Sequence, residues 1–166
     1  MDTELLNFVD EQDQVVGCCS RREIHENGLK HRAVHILVFN NLNQLFLQKR
    51  SMKKDLHKGL WDSSAAGHVD INESYSECAS RELKEELGVK AEVAFLFKLP
   101  AIQELGMEFI QVYRCRHNGP FILSADEIEY GAWQKIEIIS ERVNADDPHL
   151  TQTFKIIWRQ FIENHS

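Results

Sequence analysis

The chain has 166 residues, of which 43% are hydrophobic and 27% charged. That composition fits one domain with a real core and excludes disordered and membrane-spanning classes. The formal charge of −7 excludes a general nucleic-acid binder, which carries a basic footprint.

No apolar run reaches the length of a membrane span. The N-terminal stretch "MDTELLNFVDEQDQ" is acidic, unlike a secretory or mitochondrial targeting segment, so a cytoplasmic protein is expected. Cys18, Cys19, Cys78 and Cys115 show neither CxxC spacing nor zinc-finger histidines and read as buried free thiols.

In chain order, "LLNFVD" and "QVVGCCS" predict two short strands around the turn "EQD". "SRREIHENG" predicts a short helix with Ser20 as N-cap, ending near Gly28. "HRAVHILVFN" and "QLFLQKR" predict a hairpin across the turn "NLN". The next stretch, "QKRSMKKDLHKG", is a basic run in an acidic chain, a solvated loop or a phosphate-facing one. A helix is expected over Ser74–Leu87, stopped by Gly88. "AEVAFLFKLP", "EFIQVYRCR" and the segment around "DEIEYGAWQKI" predict three more strands, and "ISERV" a short helix. The tail places Leu150, Phe154, Ile157, Trp158 and Phe161 at helical spacing, an amphipathic helix packed on the body. Hairpins and helices without regular βαβ alternation imply an α/β (or α+β) layered domain with a mixed sheet.

The Ser74–Leu87 helix breaks the binary pattern. Stepped at about 100° per residue from Tyr75, its apolar arc holds Cys78, Ala79, Leu83 and Leu87 and runs from roughly −60° to +120°. Glu82 falls near −20° and Glu86 near +20°, inside that arc. Glu85 lies at its edge, and Glu77, Arg81 and Lys84 lie opposite. Two carboxylates one turn apart on a core-facing stripe repel each other and lose hydration. A divalent cation resolves both problems, and carboxylate oxygens suit a hard ion such as Mg²⁺, which also binds phosphates. Glutamates paired with Lys or Arg on a partly exposed helix is the alternative.

The spacing decides between them. Gly67, five residues, Glu73, seven residues, then "RELKEELGV" place Gly67, Glu73, Arg81, Glu82, Leu83, Glu85, Glu86, Gly88 and Val89 at the defining positions of a Nudix box. The chain therefore resembles the Nudix hydrolase superfamily. The resemblance implies an α/β/α sandwich in a single domain, residues 1–166, with the box at 67–89 forming a loop–helix–loop that binds Mg²⁺ or Mn²⁺ and holds a diphosphate. It implies Glu82, Glu85, Glu86 and the backbone carbonyl of Ala66 as metal ligands. Arg81 and Glu73 would brace the loop and orient the carboxylates. Metal ions would neutralise phosphoryl charge and activate water. Glu82 and Glu108 are the candidate bases, with Glu104 and Glu127 weaker ones.

The similarity extends over residues 4 to about 140 to the branch of the superfamily that includes isopentenyl diphosphate isomerase, through "HENGLKHRAVHILVFN", "LFLQKRSMKKDLHKGLWDSSAAGHV" and "GPFILSADEIEYGAW". The isomerase's metal-binding histidines match His25, His31 and His68. Its catalytic cysteine aligns with Ala66, which cannot move a proton. The box, degenerate in the isomerases, is intact here. Both departures favour hydrolysis of a diphosphate-linked small molecule over isomerisation, with a non-catalytic sensor as a third class. Lys49, Arg50 and Lys54 are candidate phosphate contacts, and His68 a candidate substrate or metal contact. Trp61 is a ring that stacks or packs. Monomer or homodimer is the expected assembly, by superfamily analogy.

Overall fold

The computed structural model describes residues 4–165; Met1–Thr3, the first part of the acidic N-terminal stretch, and Ser166 lie outside the described residues. Strands β1 (Leu5–Val9) and β2 (Val15–Ser20) form a separate antiparallel hairpin. Helix α1 (Arg21–Glu26) follows at once, because Ser20 closes a capping box with Glu23. The main sheet has seven strands, with β3 (His31–Phe39), β4 (Gln44–Arg50), β5 (Trp61–Asp62), β6 (Ala65–His68), β7 (Ala94–Leu99), β8 (Glu108–Arg116) and β9 (Ile128–Lys135). Its central pair, β3 and β8, is parallel along the whole length of both strands, His31 opposite Glu108 and Phe39 opposite Arg116. The other pairings are antiparallel, so the sheet is mixed as expected.

The hairpin expected of β3 and β4 holds only at its turn, where Phe39 pairs with Leu45. Beyond it the strands diverge. β6 pairs with β3 from Ala33 to Ile36, and β9 takes β4 from Gln44 to Arg50. This opening matters, because it admits the glycine end of the box into the sheet.

Helix α2 (Tyr75–Leu87) covers one face. Ser74 caps it with Glu77 in a capping box, and Gly88 ends it in the left-handed region at φ 70°, where a side chain would be strained. Its buried stripe packs on Val34, Ile36, Val38, Tyr113 and Cys115. Helices α3 (Ile136–Asn144) and α4 (Gln152–Asn164) cover the other face. There Phe154, Ile157, Trp158 and Phe161 meet Leu37, Phe39, Leu45, Leu47 and Val112, together with Leu150 just before α4. The result is an α/β/α sandwich, with two cores separated by the β3–β8 plane. The cysteine expectation holds for Cys78 and Cys115, which are buried; Cys18 is exposed and Cys19 half-buried, on the two-stranded hairpin that stands apart from the main sheet.

Candidate active site and metal centres

Glu82 and Glu86 lie on the buried stripe of α2, only 8% and 5% exposed. They press against β6. A Cβ at Gly67 would sit 2.2 Å from Glu82 Cδ and Oε1, so glycine alone permits that approach. Glu86 Oε1 accepts hydrogen bonds from Ala66 N at 3.1 Å and from Gln48 Nε2 at 3.0 Å. Burial and the neighbouring Glu86 carboxylate push the Glu82 carboxyl up to about 9. Burial likewise pushes Glu86 up to about 7, against the two hydrogen bonds that favour its charged form. Glu85 is exposed at the rim. Two desolvated carboxylates with a third beside them are a donor set for a hard divalent cation, which would restore both charges. Replacing Gly67 by Ala drives the new methyl into Glu82. We expect turnover to fall about 10–100-fold with the thermal midpoint only modestly lowered, measured by initial rates and melting.

Arg81 departs from the helical pattern. It projects from the polar side of α2, yet its side chain is only 26% exposed because it folds back over the box. Nε and Nη2 donate to the two Glu73 oxygens at 2.7 and 3.0 Å, and Nη1 donates to Glu82 at 2.8 Å and Glu85 at 3.1 Å. Nη2 also donates to the His68 carbonyl at 3.0 Å. One guanidinium thus ties the loop, the helix and the end of β6, which uses its planar fork fully.

A second cluster lies across β6. Alternation along a strand puts Ala66 and His68 on the face opposite Gly67. There one ring nitrogen from each of His25, His31 and His68 lies within 4.8 Å of the other two. The parallel β3–β8 register brings Glu108 beside His31. Glu108 Oε2 is 2.8 Å from His68 Nε2 and 3.4 Å from His31 Nε2. Burial raises the Glu108 carboxyl, but the His31 and His68 rings outweigh it and hold the group well below the usual carboxylate range. His31 Nδ1 is fixed on the Leu29 carbonyl at 2.9 Å. Its Nε2 is fully buried and makes no hydrogen bond among the described residues. An orphaned nitrogen, oriented through its other nitrogen and facing two more imidazoles and a carboxylate, is the arrangement of a metal ligand. The mixed nitrogen and oxygen donors suit a transition ion. His31→Gln is expected to lower bound transition metal toward zero per chain while Glu86→Gln leaves it in place, read by elemental analysis of the purified proteins.

The remaining candidates are distributed around these centres. Lys54 is ion-paired with Glu127, and Lys53 with Asp126 at 3.3 Å, so the basic run is clamped to the turn before β9. Both the Lys54 and Glu127 charges act on Glu86. Arg50 donates from Nε and Nη2 to the Leu56 carbonyl and lies 3.7 Å from Asp62. Lys49 pairs with Glu129 at 3.1 Å. Glu104 is exposed in a 3-10 turn, Gln103–Leu105, outside both clusters. Trp61 packs on the α4-side core and meets the Tyr130 ring edge-on at 5.3 Å. The bond of Gln48 to Glu86, and that of Cys78, whose Sγ donates to the His68 carbonyl at 3.3 Å, escaped the sequence reading. Gln48 had one local signal, a polar residue at an inward position of the strand "QLFLQ".

The NUDIX domain family model matches residues 29–154. The chain is 34% identical over 149 residues to a Nudix hydrolase of Pseudomonas aeruginosa, covering 87% of this chain and 86% of the relative. It is also 34% identical over 131 residues to an isopentenyl-diphosphate Delta-isomerase of Aromatoleum aromaticum, covering 76% and 69% of the two chains. A crystal structure of a Deinococcus radiodurans protein superposes with a TM-score of 0.84 at 28% identity, over 95% of this chain and 98% of that one. A Nudix domain of Shewanella oneidensis, solved with ADP ribose, shares the fold at a TM-score of 0.66 and 15% identity, over 89% and 100%. With the box intact on α2 and these likenesses spanning most of its length, the chain belongs to the Nudix family.

Proposed function

We propose that the protein hydrolyses a phosphoanhydride bond of a diphosphate-linked small molecule with the help of Mg²⁺, or Mn²⁺ in its place, within a single domain. The observation that carries this reading is the desolvated pair Glu82 and Glu86, held against Gly67 and Ala66. In this account Glu82, Glu85, Glu86 and the Ala66 carbonyl hold the cation. When bound, it supplies charge neutralisation on the phosphoryl oxygens and a water of lowered pKa. Arg81 orients Glu82 and Glu85 through the bonds described above. Glu82 is the preferred base, because Glu108 is hydrogen-bonded to His68 and faces the His31 ring. Arg50 and Lys54 border the site and take the substrate phosphates, with Lys54 exchanging Glu127 for phosphate oxygens. His25, His31, His68 and Glu108 would hold a second ion, through which His68 also lies close to the substrate.

The reading includes a small-molecule partner, no nucleic acid and no membrane, a monomer or homodimer, and a cytoplasmic setting suited to free thiols. Among the described residues no helix is long and apolar enough to cross a membrane. One second reading has an observation in its favour: the histidine cluster and the isomerase relative point to isopentenyl diphosphate isomerisation. Ala66 in place of the thiol weighs against it. Incubation with Mg²⁺ and a panel of diphosphates, isopentenyl diphosphate included, followed by mass spectrometry, separates the two. Phosphoanhydride cleavage lost in Glu82→Gln supports hydrolysis. An isomer of unchanged mass, or ligand binding without turnover, overturns it.

A further inference from the structure

Away from both centres lies a cavity of about 430 Å³ between α4 and the sheet, a size that accommodates a small organic ligand. It opens at the carboxyl ends of β3 and β8, whereas His31 and Glu108 sit at their amino ends. Arg116 is eight residues beyond Glu108 on β8, roughly 26 Å at the usual rise of a strand, so the cavity is separate from the site described above.

Alternation along β8 sends Arg114 and Arg116 to the same face as Ile110 and Val112, which meet α4. Both arginines line the cavity. Arg116 is held in place: its Nη1 donates to the Asn40 carbonyl at 2.6 Å and lies 3.4 Å from Asn43 Oδ1. Arg114 makes no hydrogen bond or ion pair among the described residues. The carboxylate that lines the cavity with them, Glu92, pairs with neither. Two like charges two residues apart on one strand face repel each other, and here they leave a net positive charge at the opening of an acidic protein.

The apolar lining is flat. Phe161 stacks on Phe39 with 5.5 Å between centroids and 25° between planes, and the His165 ring stacks on Phe161 at 4.3 Å and 25°. His165 is fixed there by Nδ1, which donates to the Phe161 carbonyl at 2.8 Å. Half-buried Ile136 and Ile162 extend this surface. Ala94, directly opposite Arg114 on β7, leaves room beside the guanidinium.

We propose that this cavity binds a flat aromatic monocarboxylate, with its ring along Phe161 and Ile162 and its carboxylate on Arg114, beside Arg116. The planar fork of an arginine matches a carboxylate in two parallel hydrogen bonds. Arg114, Arg116 and Glu92 together favour one negative charge over two.

The test is an NMR titration of the ¹⁵N-labelled protein with 2-naphthoate, 2-naphthalenemethanol and 2-naphthyl phosphate, which share a ring system and differ in charge. 2-Naphthoate is expected to shift the amides of residues 92–94, 114–116 and 161–165, and the alcohol to bind there about tenfold more weakly. Arg114→Gln should weaken 2-naphthoate by about the same factor. Ala94→Trp, which fills the cavity from the neighbouring strand, should abolish binding, and Glu82→Gln should leave it unchanged. Arg114 and Ala94 are both exposed, and undisturbed amide shifts elsewhere verify that the variants are folded. Equal affinity for the alcohol, tighter binding of the phosphate at these amides, or unchanged affinity in Arg114→Gln overturns the proposal. So does the absence of shifts there up to about 10 mM 2-naphthoate, or their confinement to residues around Glu82 and His68. A dimer seen by light scattering that Ala94→Trp dissociates also overturns it, because the cavity would then seat a second copy of the chain.

Discussion

Glu86→Gln is expected to lower kcat at least about a hundredfold while the folded protein becomes more stable in the absence of metal. The two effects have one cause. Glu86 is buried beside Glu82, and each carboxylate lacks the water that would stabilise its charge. Gln keeps the shape and can still bond the Ala66 amide through its carbonyl, but it brings no charge to a cation. The pH dependence gives a second readout. Both folded-state values, about 9 and about 7, lie above the ordinary glutamate value of 4.5. The folded protein therefore binds more protons than the unfolded chain between those limits, and stability falls as pH rises through them. His25 and His35 have lowered values and work in the opposite direction, but only below their ordinary value of 6.5. Between pH 7 and 8.5 the carboxylate pair dominates. Chelator-treated wild type should lose thermal stability across that window, and Glu86→Gln should show a flatter profile. A profile identical to wild type would mean that the pair is not desolvated as described.

Arg81→Lys should cost about 2 kcal/mol of stability and about 10–100-fold in turnover. An ammonium keeps the charge but not the fork. It can reach Glu73 or Glu82, not both together with the His68 carbonyl. Glu82 is left freer to rotate, and the His68 carbonyl at the end of β6 keeps only the Cys78 thiol as a side-chain donor among the described residues. The expected signature is a raised Mg²⁺ requirement: activity partly recovers at high Mg²⁺, whereas Glu86→Gln does not recover. Chemical denaturation and a Mg²⁺ titration of activity check the two halves. Full activity at ordinary Mg²⁺ would show that Arg81 is only a surface brace.

The parts of this structure that the sequence revealed are those written into local periodicity. Glu82 and Glu86 stand out because a 3.6-residue repeat forces them into the core stripe with Cys78, Ala79, Leu83 and Leu87, all of which are buried. The same holds for α4, whose aromatic stripe lies in the core as expected. Arg81 obeys the same repeat at its Cα, but a long side chain is not bound to its helical face, and it turns back toward Glu73. β6 had no local signature. "AAGH" lacks the β-branched residues that mark strands, and it becomes one only because β3 offers an open edge. The His25, His31, His68 and Glu108 cluster is assembled by parallel pairing of segments far apart in sequence. Periodicity cannot see such pairing; only the resemblance to the isomerase branch singled out the three histidines. Glu108 was visible as a candidate base, and its histidine partners give it a different setting. The basic run was legible as charge, but not its neutralisation by Asp126 and Glu127, which arrive with β9, distant in sequence but paired with β4.

The central claim is that water, activated at the Glu82–Glu86 cation, cleaves a phosphoanhydride bond. The most direct test is turnover of the diphosphate panel in ¹⁸O-labelled water with Mg²⁺, comparing wild type with Glu82→Gln. The account predicts one ¹⁸O in a phosphate-bearing product of the wild type, and little product or label from the variant. Unlabelled rearranged product, or label incorporated equally by Glu82→Gln, would contradict it.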